Sequence, residues 1–431
     1  MSIFEELLRA EEMPLFYKVH YEIPAISVGD VEAAVRAAVH RKESLSAIQM
    51  GDTVAITAGS REISNIALII KTLVEEVKQA GGVPFIVPAM GSHGGAVAEG
   101  QTKILHDYGI TEEYVGAPIR SSMETVCLGK TKEHGFEVHL DKNASEADWI
   151  IPVGRIKPHT DIKGPIQSGL MKMLVIGLGK QEGAAICHAN GFLKMSENIV
   201  EIGKVILDKA PILFGLGILE NGHHDTYRIE AVASCEFLKR EQELLKDAKR
   251  QLPCIPFEKL DMLVVDQMGK DISGAGMDPN ITGRSSIHGI SKPNIERIVV
   301  RDLTENSHHN ASGIGNADVI PQRMYDKINL EETYPNCITS CDVAGFKLPV
   351  IMPDDRLAFK LALHTITEAS AETGYRIMWI QDTNHLQTFY ITERLLEEAK
   401  KNPALTVEEQ PLEVVYDAGG YVEQFKAAGS E

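Results

Sequence analysis

The 431-residue chain has no apolar run near the roughly 20 residues that a bilayer-spanning helix needs; its longest, such as Met171 to Leu178, are far shorter. Met1 to Pro14 is acidic rather than signal-like, so a cytoplasmic location is expected. Basic blocks are also missing, and a formal net charge of −18 repels phosphate backbones and anionic lipid headgroups. Nucleic acid and membrane surfaces are therefore excluded as expected partners. Cysteine is sparse: six residues show no CxxC pair and no disulfide-framework density, so reduced thiols are expected. Cys337 and Cys341 form a CxxxC whose neighbourhood offers no clear further pair of zinc ligands. Gly177-Leu178-Gly179 lacks the third glycine of a dinucleotide fingerprint, which argues against a nicotinamide site.

What is present is the composition of a folded globular protein, 44% hydrophobic and 24% charged. The length suits two domains. Short β-branched or apolar runs at Thr53–Thr57, Val83–Val87, Asp148–Val153 and Ile212–Leu219 alternate with polar loops and helices. The clearest helix spans Asn65 to Ala80, follows a capping Ser64, gathers Ile66, Ile69, Ile70, Leu73, Val74 and Val77 on one face, and stops at Gly81-Gly82. Strands near Leu260–Val265, Arg297–Val300, Leu348–Met352 and Arg376–Ile380 repeat the rhythm, with helices over Asp355–Ala371 and Thr392–Lys401. The fold class predicted is α/β, two α/β domains with mainly parallel sheets and an interdomain active-site cleft. A charged helical segment giving way to Pro253 and Pro256 sets the boundary: residues 1–255 form a cofactor-binding domain and 256–402 the second. The tail, about 403–431, is expected to pack back on the first domain.

Arg61, His93, His159, Lys172, His188 and Lys270 each fall just past an apolar run that reads as a strand, where open α/β sheets bind ligands. His93 and His159 suit acid–base work, because imidazole exchanges a proton near neutrality; alone, either would equally well be a solvated or helix-capping residue. Arg61, in a Gly-Ser turn before a helix, can hold a carboxylate or make a surface ion pair. Lys172 sits in an apolar context where an ammonium is costly, so it either snorkels to solvent or is chemically special. His188 is the better metal ligand of the Cys187-His188 pair, and Gln267 and Lys270 share one side of a turn.

Taken in order, these residues resemble the nickel-dependent lactate racemase family of 2-hydroxyacid racemases and epimerases. Ser60-Arg61 is similar to the family's Thr-Arg turn, and Gly91-Ser92-His93 to its Gly-Thr-His loop. Pro158-His159 is similar to its Pro-His, and Ser168-Gly169-x-x-Lys172 to its Ser-Gly-Gly-x-Lys. His188 stands sixteen residues past Lys172, as the family's nickel-binding histidine does, and Gln267-x-x-Lys270 is similar to its Gln-x-x-Lys. The agreement spans residues of about 50 to 290.

The resemblance implies a nickel-pincer nucleotide (pyridinium-3,5-bisthiocarboxylic acid mononucleotide nickel) covalently bound to Lys172, with His188 as the protein's ligand to nickel and Ser60, Ser168 and Gly169 among its contacts. It implies a 2-hydroxy acid substrate, with His93 and His159 as paired acid–base groups, Arg61 on the carboxylate, and Gln267 and Lys270 on the substrate oxygens. The chain departs from the family pattern at Ala58 and Glu62 and in a loop before Ser168 about three residues longer. Those departures predict a 2-hydroxy acid larger or more hydroxylated than lactate. Two other readings stand beside this one: a zinc hydrolase or lyase with His93, His159 and His188 as ligands, and a non-enzymatic binder of anionic metabolites through Arg61 and Lys270.

Overall fold

The computed structural model describes residues 2–41, 44–60, 62–189 and 191–429, without the side chain of Thr339. The chain is mixed α/β and divides into two compact units, one of Pro24–Leu252 and one of Met1–Ile23 with Pro253–Glu431. Strand β1 (Phe16–Tyr21) belongs to the latter unit, pairing antiparallel with Thr388–Thr392 on one side and with Leu405–Val407 and Leu412–Tyr416 on the other. The expected division is therefore corrected at both ends: the first 23 residues and the tail lie with the C-terminal unit rather than the N-terminal one. The physical reason is β1 itself. It buries Phe16 and Val19 completely, and a strand so buried needs ladder partners on both edges.

In the Pro24–Leu252 unit, β2 (Thr53–Ala58) and β3 (Val83–Pro88) are parallel neighbours. An antiparallel hairpin of β4 (Thr125–Lys130) and β5 (Glu137–Asp141) follows, and then β6 (Trp149–Ile151) joins the other edge of β2 in parallel. Alternation along the strands buries both faces of this sheet. Ala55, Phe85, Val87 and Ile150 enter one core, and Val54, Ile56, Ile86 and Ile151 the other. The helices Val31–His40 and Ile66–Gln79 supply Val35, Val39, Ile69 and Leu73 to one side. Leu170, Leu174, Ile199 and Ile202 close the opposite side.

Where one strand was expected over Asp148–Val153, Pro152 divides two. Proline has no N–H for the ladder, so β6 ends at Ile151 and β7 (Val153–Arg155) moves to β8 (Phe214–Glu220), whose antiparallel partner is β9 (Thr226–Ala233). Pro152 still accepts from the Leu216 amide at 2.8 Å, and the Val153 amide donates to Thr57 Oγ1 at 2.9 Å.

Two helix boundaries also differ from expectation. Ser64 does not cap Ile66–Gln79; Asn65 stands at the N-cap with φ 61° and no side-chain cap bond, while the Ser64 amide donates to Glu220 Oε1 at 2.8 Å. The helix expected over Asp355–Ala371 stops at His364. Thr365 ends it, its hydroxyl accepting from Arg297 Nε at 2.9 Å and its carbonyl from the same guanidinium.

The second unit holds a ten-stranded sheet. Its parallel part runs through Val350–Met352, Val319–Pro321, Asn294–Leu303, β10 (Lys259–Met268) and Ile377–Ile380. The antiparallel strands Thr388–Thr392, β1, Leu412–Tyr416 and Val422–Ala427 extend it. Among the described residues no helix is long and apolar enough to cross a membrane.

Candidate active site

Because β2, β3 and β6 are parallel and β7 continues β6 past Pro152, the loops leaving β2, β3 and β7 emerge at one edge of the Pro24–Leu252 unit. These loops carry Ser60, His93 and His159. The segment Ser168–Gly177 crosses the same edge: Ser168 pairs with Lys157, whose amide donates to the Ser168 carbonyl at 3.2 Å, and the Gly91 amide donates to the Gly177 carbonyl at 3.2 Å. Met173 Cε lies 3.0 Å from where a Cβ on Gly59 would stand. The structure thus brings the Ser60, His93, His159, Ser168–Gly169 and Lys172 segments together. Arg61 lies outside the described residues.

Neither Lys172 nor His188 follows a strand as expected; both lie in helical segments, where the apolar run packs as buried helix. Lys172 closes a helical turn, Leu170–Lys172, that widens into a π-type turn over Met173–Gly177, with the Leu178 amide bonding back to the Met173 carbonyl at 2.9 Å. Such turns often mark functional positions in helices. His188 ends the helix Lys180–His188 and meets Phe192 edge-on, ring centroids 5.5 Å apart. Burial, and then the nearby Lys172 ammonium, hold the His188 imidazole below its ordinary value. A neutral imidazole is the form that binds a metal. Burial also pushes the neighbouring Cys187 thiol up to about 12, so Cys187 stays protonated and is the poorer ligand.

His93 is exposed at the head of a short turn, Gly94–Ala96, and its carbonyl accepts from Gln101 Nε2 at 3.2 Å. Gln101 is fully buried; it also donates to the Gly91 carbonyl at 3.0 Å and accepts from Lys180 Nζ at 3.2 Å. Lys180, equally buried, donates to the Pro88 carbonyl at 2.5 Å and forms an ion pair with Asp141 at 3.0 Å. Burial pushes Lys180 down and Asp141 up, each toward its neutral form, and their mutual attraction opposes both shifts. Gly94 and Gly100 leave no room for side chains: a Cβ on Gly100 would stand 2.0 Å from the Gly94 carbonyl oxygen. The His93 loop is therefore fastened by Gln101, in the helix Ala98–Asp107, and through it by Lys180, which begins the helix that His188 ends.

The Lys172 turn has its own fastening. Glu241, buried in the helix Phe237–Gln251, accepts from the Met171 amide at 2.9 Å through Oε2, and its Oε1 has no hydrogen-bond partner among the described residues. A Cβ on Gly169 would fall 2.5 Å from that oxygen. Burial pushes the Glu241 carboxyl up to about 7, against hydrogen bonds from Met171 and Leu170 that lower it. Relative to an ordinary value of 4.5, the folded state then binds the extra proton, so stability falls as pH rises from about 4.5 to 7. Glu241→Gln is expected to flatten that part of the stability curve, by up to roughly 3 kcal/mol. Urea unfolding of both proteins at several pH values measures it; parallel curves would remove Glu241 from the account.

None of Gln101, Asp141, Lys180 and Glu241 announced itself in the sequence, since each polar letter sits where a solvated helix or loop residue is equally natural. Gln267 and Lys270, by contrast, belong to the C-terminal unit. Gln267 is exposed near the end of β10, beside a cavity of about 580 Å³ that Asp266, Arg301, Asp302 and Gln381 also line, and Lys270 is exposed just beyond. The six cysteines are free thiols.

A sheet-edge site with histidines on separate loops and a half-buried lysine beside a neutral imidazole defines an enzyme-like α/β domain. Residues 18–199 match the family model of the lactate racemase N-terminal domain. No curated protein matches the chain in sequence. Among solved structures the chain is similar to the lactate racemase apoprotein from Thermoanaerobacterium thermosaccharolyticum, with 13% identity, coverage of 86% of this chain and 89% of that one, and a TM-score of 0.47.

Proposed function

We propose that the protein is a racemase or epimerase of a 2-hydroxy acid, working by reversible hydride transfer to a nickel-pincer nucleotide anchored on Lys172. The observation that carries this reading is the pairing of Lys172 with a His188 imidazole held in its neutral form, on a chain whose residues 18–199 match the lactate racemase domain. The donor set fits the group: an amine able to form a covalent amide-type link, and an imidazole available to nickel. When bound, the group supplies a hydride acceptor that returns what it takes, so the 2-hydroxy acid passes through a planar 2-oxo acid and back.

The chain's own residues would do the rest. His93, solvent-accessible and fastened through Gln101, would take the hydroxyl proton and give it back. Ser60, Ser168 and the Gly169 backbone would contact the nucleotide, and Arg61 would hold the substrate carboxylate. By the resemblance alone, Gln267 and Lys270 would bind the substrate oxygens. The loop after His159 supports a hydroxylated substrate, because Thr160, Asp161 and Lys163 crowd it with polar groups, Thr160 Oγ1 donating to Asp161 at 2.7 Å.

The zinc reading has less support. Among the described residues, His93, His159 and His188 do not bring three nitrogens within 4.8 Å of one another; the only metal-capable group so clustered is Glu133, His134 and Glu201, on the surface. His93→Ala is expected to lower interconversion of the enantiomers by roughly two to four orders of magnitude in cofactor-loaded protein, measured by chiral chromatography. Full activity in that variant would exclude His93 as the proton carrier.

A further inference from the structure

One face of the helix Ala98–Asp107 holds two of the site's loops. Gln101, Leu105 and Tyr108 stand at i, i+4 and i+7, so they line up along the helix. Gln101 fastens the loop after β3 through the Gly91 and His93 carbonyls. Leu105, fully buried, belongs to the same core cluster as Ile63, Ile66 and Ile110. Tyr108, at the C-terminal end, donates its hydroxyl proton to the Ser60 carbonyl at 2.9 Å, which fastens the loop after β2.

The local sequence places Tyr108 there. Its amide donates to the Ile104 carbonyl at 3.2 Å, Gly109 follows at φ 77°, and the Ile110 amide returns to the Leu105 carbonyl at 2.9 Å, closing the helix. The half-buried ring packs on the core that contains Leu105 and Ile110, a task phenylalanine would do as well. The hydroxyl is what the Ser60 carbonyl uses. On its other side the turn abuts the Lys172 segment, since a Cβ on Gly59 would stand 3.0 Å from Met173 Cε. Gly59 and Ser60 are thus gripped between the Lys172 segment and the end of this helix.

We infer that Tyr108 is a positioning residue of the site: through the Ser60 carbonyl it sets the Gly59–Ser60 turn against the Lys172 segment, in place to receive a pyridinium mononucleotide. The inference rests on the racemase reading above, in which Ser60 contacts that nucleotide. Tyr108 acts on the backbone of the turn, not on the ligand. A Gly-Ser turn is intrinsically loose, because glycine loses more conformational freedom on ordering than any other residue. Left unfastened, the turn would have to order as the nucleotide binds, and that loss of entropy opposes binding. Fastened beforehand, it offers the Ser60 hydroxyl and backbone to the nucleotide's oxygens already in place. Because one helix carries both Tyr108 and Gln101, the same element fixes the spacing between this turn and the His93 loop.

The test uses the full-length protein without cofactor, the variant Tyr108→Phe, and nicotinic acid mononucleotide as probe, a pyridinium mononucleotide with neither sulfur nor nickel. By isothermal titration, Tyr108→Phe is expected to raise the Kd of the probe roughly three- to tenfold, the loss that one hydrogen bond accounts for. Hydrogen exchange should quicken in the peptide that carries Ser60 and stay as in wild type over Gly91 to His93, which Gln101 still holds. An unchanged Kd in the variant would overturn the inference even if its urea midpoint falls, because a purely structural tyrosine lowers stability without touching affinity. A weaker Kd with unchanged exchange at Ser60 would also overturn it, by placing the hydroxyl on the ligand. If the wild type itself fails to bind the probe, the nucleotide reading fails and the inference with it, a result distinct from binding that is insensitive to Tyr108.

Discussion

Replacing Lys172 with alanine is expected to abolish turnover, below roughly a thousandth of wild type, and to remove any covalent mass increment from its peptide. The effect is large because the amine that would carry the covalent link is removed. Lys172 is the residue within electrostatic reach of both Cys187 and His188, whereas Lys180, on the next helix, is fully buried and committed to Asp141, Gln101 and Pro88. The measurement is peptide mass with metal analysis, on protein made in a host that carries the pincer-cofactor pathway. Near-stoichiometric nickel with an adduct on Lys172 in the wild type, and neither in the variant, is the expected pair of results. Zinc on an unmodified Lys172 would favour the hydrolase or lyase reading. Neither metal nor adduct would bring forward the binding-protein reading.

Lys180→Met is expected to cost about 3–5 kcal/mol of stability, since it leaves the Asp141 carboxylate buried without its countercharge. Lys180 also sits at φ 54°, a left-handed conformation that costs a side-chain-bearing residue about 1–2 kcal/mol, which the contacts of its ammonium help to offset. Urea unfolding checks the size. Adding Asp141→Asn should return part of the loss, because the neutral amide no longer needs a cation. A loss below about 1 kcal/mol in the single variant would mean that Asp141 is already neutral in the folded protein. Lys180 also holds Gln101, and Gln101 the His93 carbonyl, so any 2-hydroxyacid turnover should fall in Lys180→Met even where the variant remains folded.

Much of the sheet edge was legible in the order of the residues. Thr53–Ala58 and Val83–Pro88 are strands because β-branched and apolar residues run without a break to a Gly- or Ser-bearing turn, and both signals are local. The helix Ile66–Gln79 shows its apolar stripe at helical spacing. Its start was misread, since Ser64 has the right side chain for a cap but is drawn instead to Glu220, a residue 156 positions away. The hairpins β4–β5 and β8–β9 carried weaker signals, and antiparallel pairing of β1 with Thr388–Thr392 spans most of the chain.

The sequence alone placed Ser60, His93, His159 and Lys270 just past strands, because that depends on neighbours along the chain; Lys172 and His188, expected there too, end helical segments instead. The tertiary structure decided which polar residues are buried. Asp141, Lys180, Gln101 and Glu241 are ordinary polar letters until packing removes their water, and then each must find a partner or shift its proton. It also decided the surroundings of His159: only a folded loop brings the Asp161 and Ile162 amides to its Nδ1.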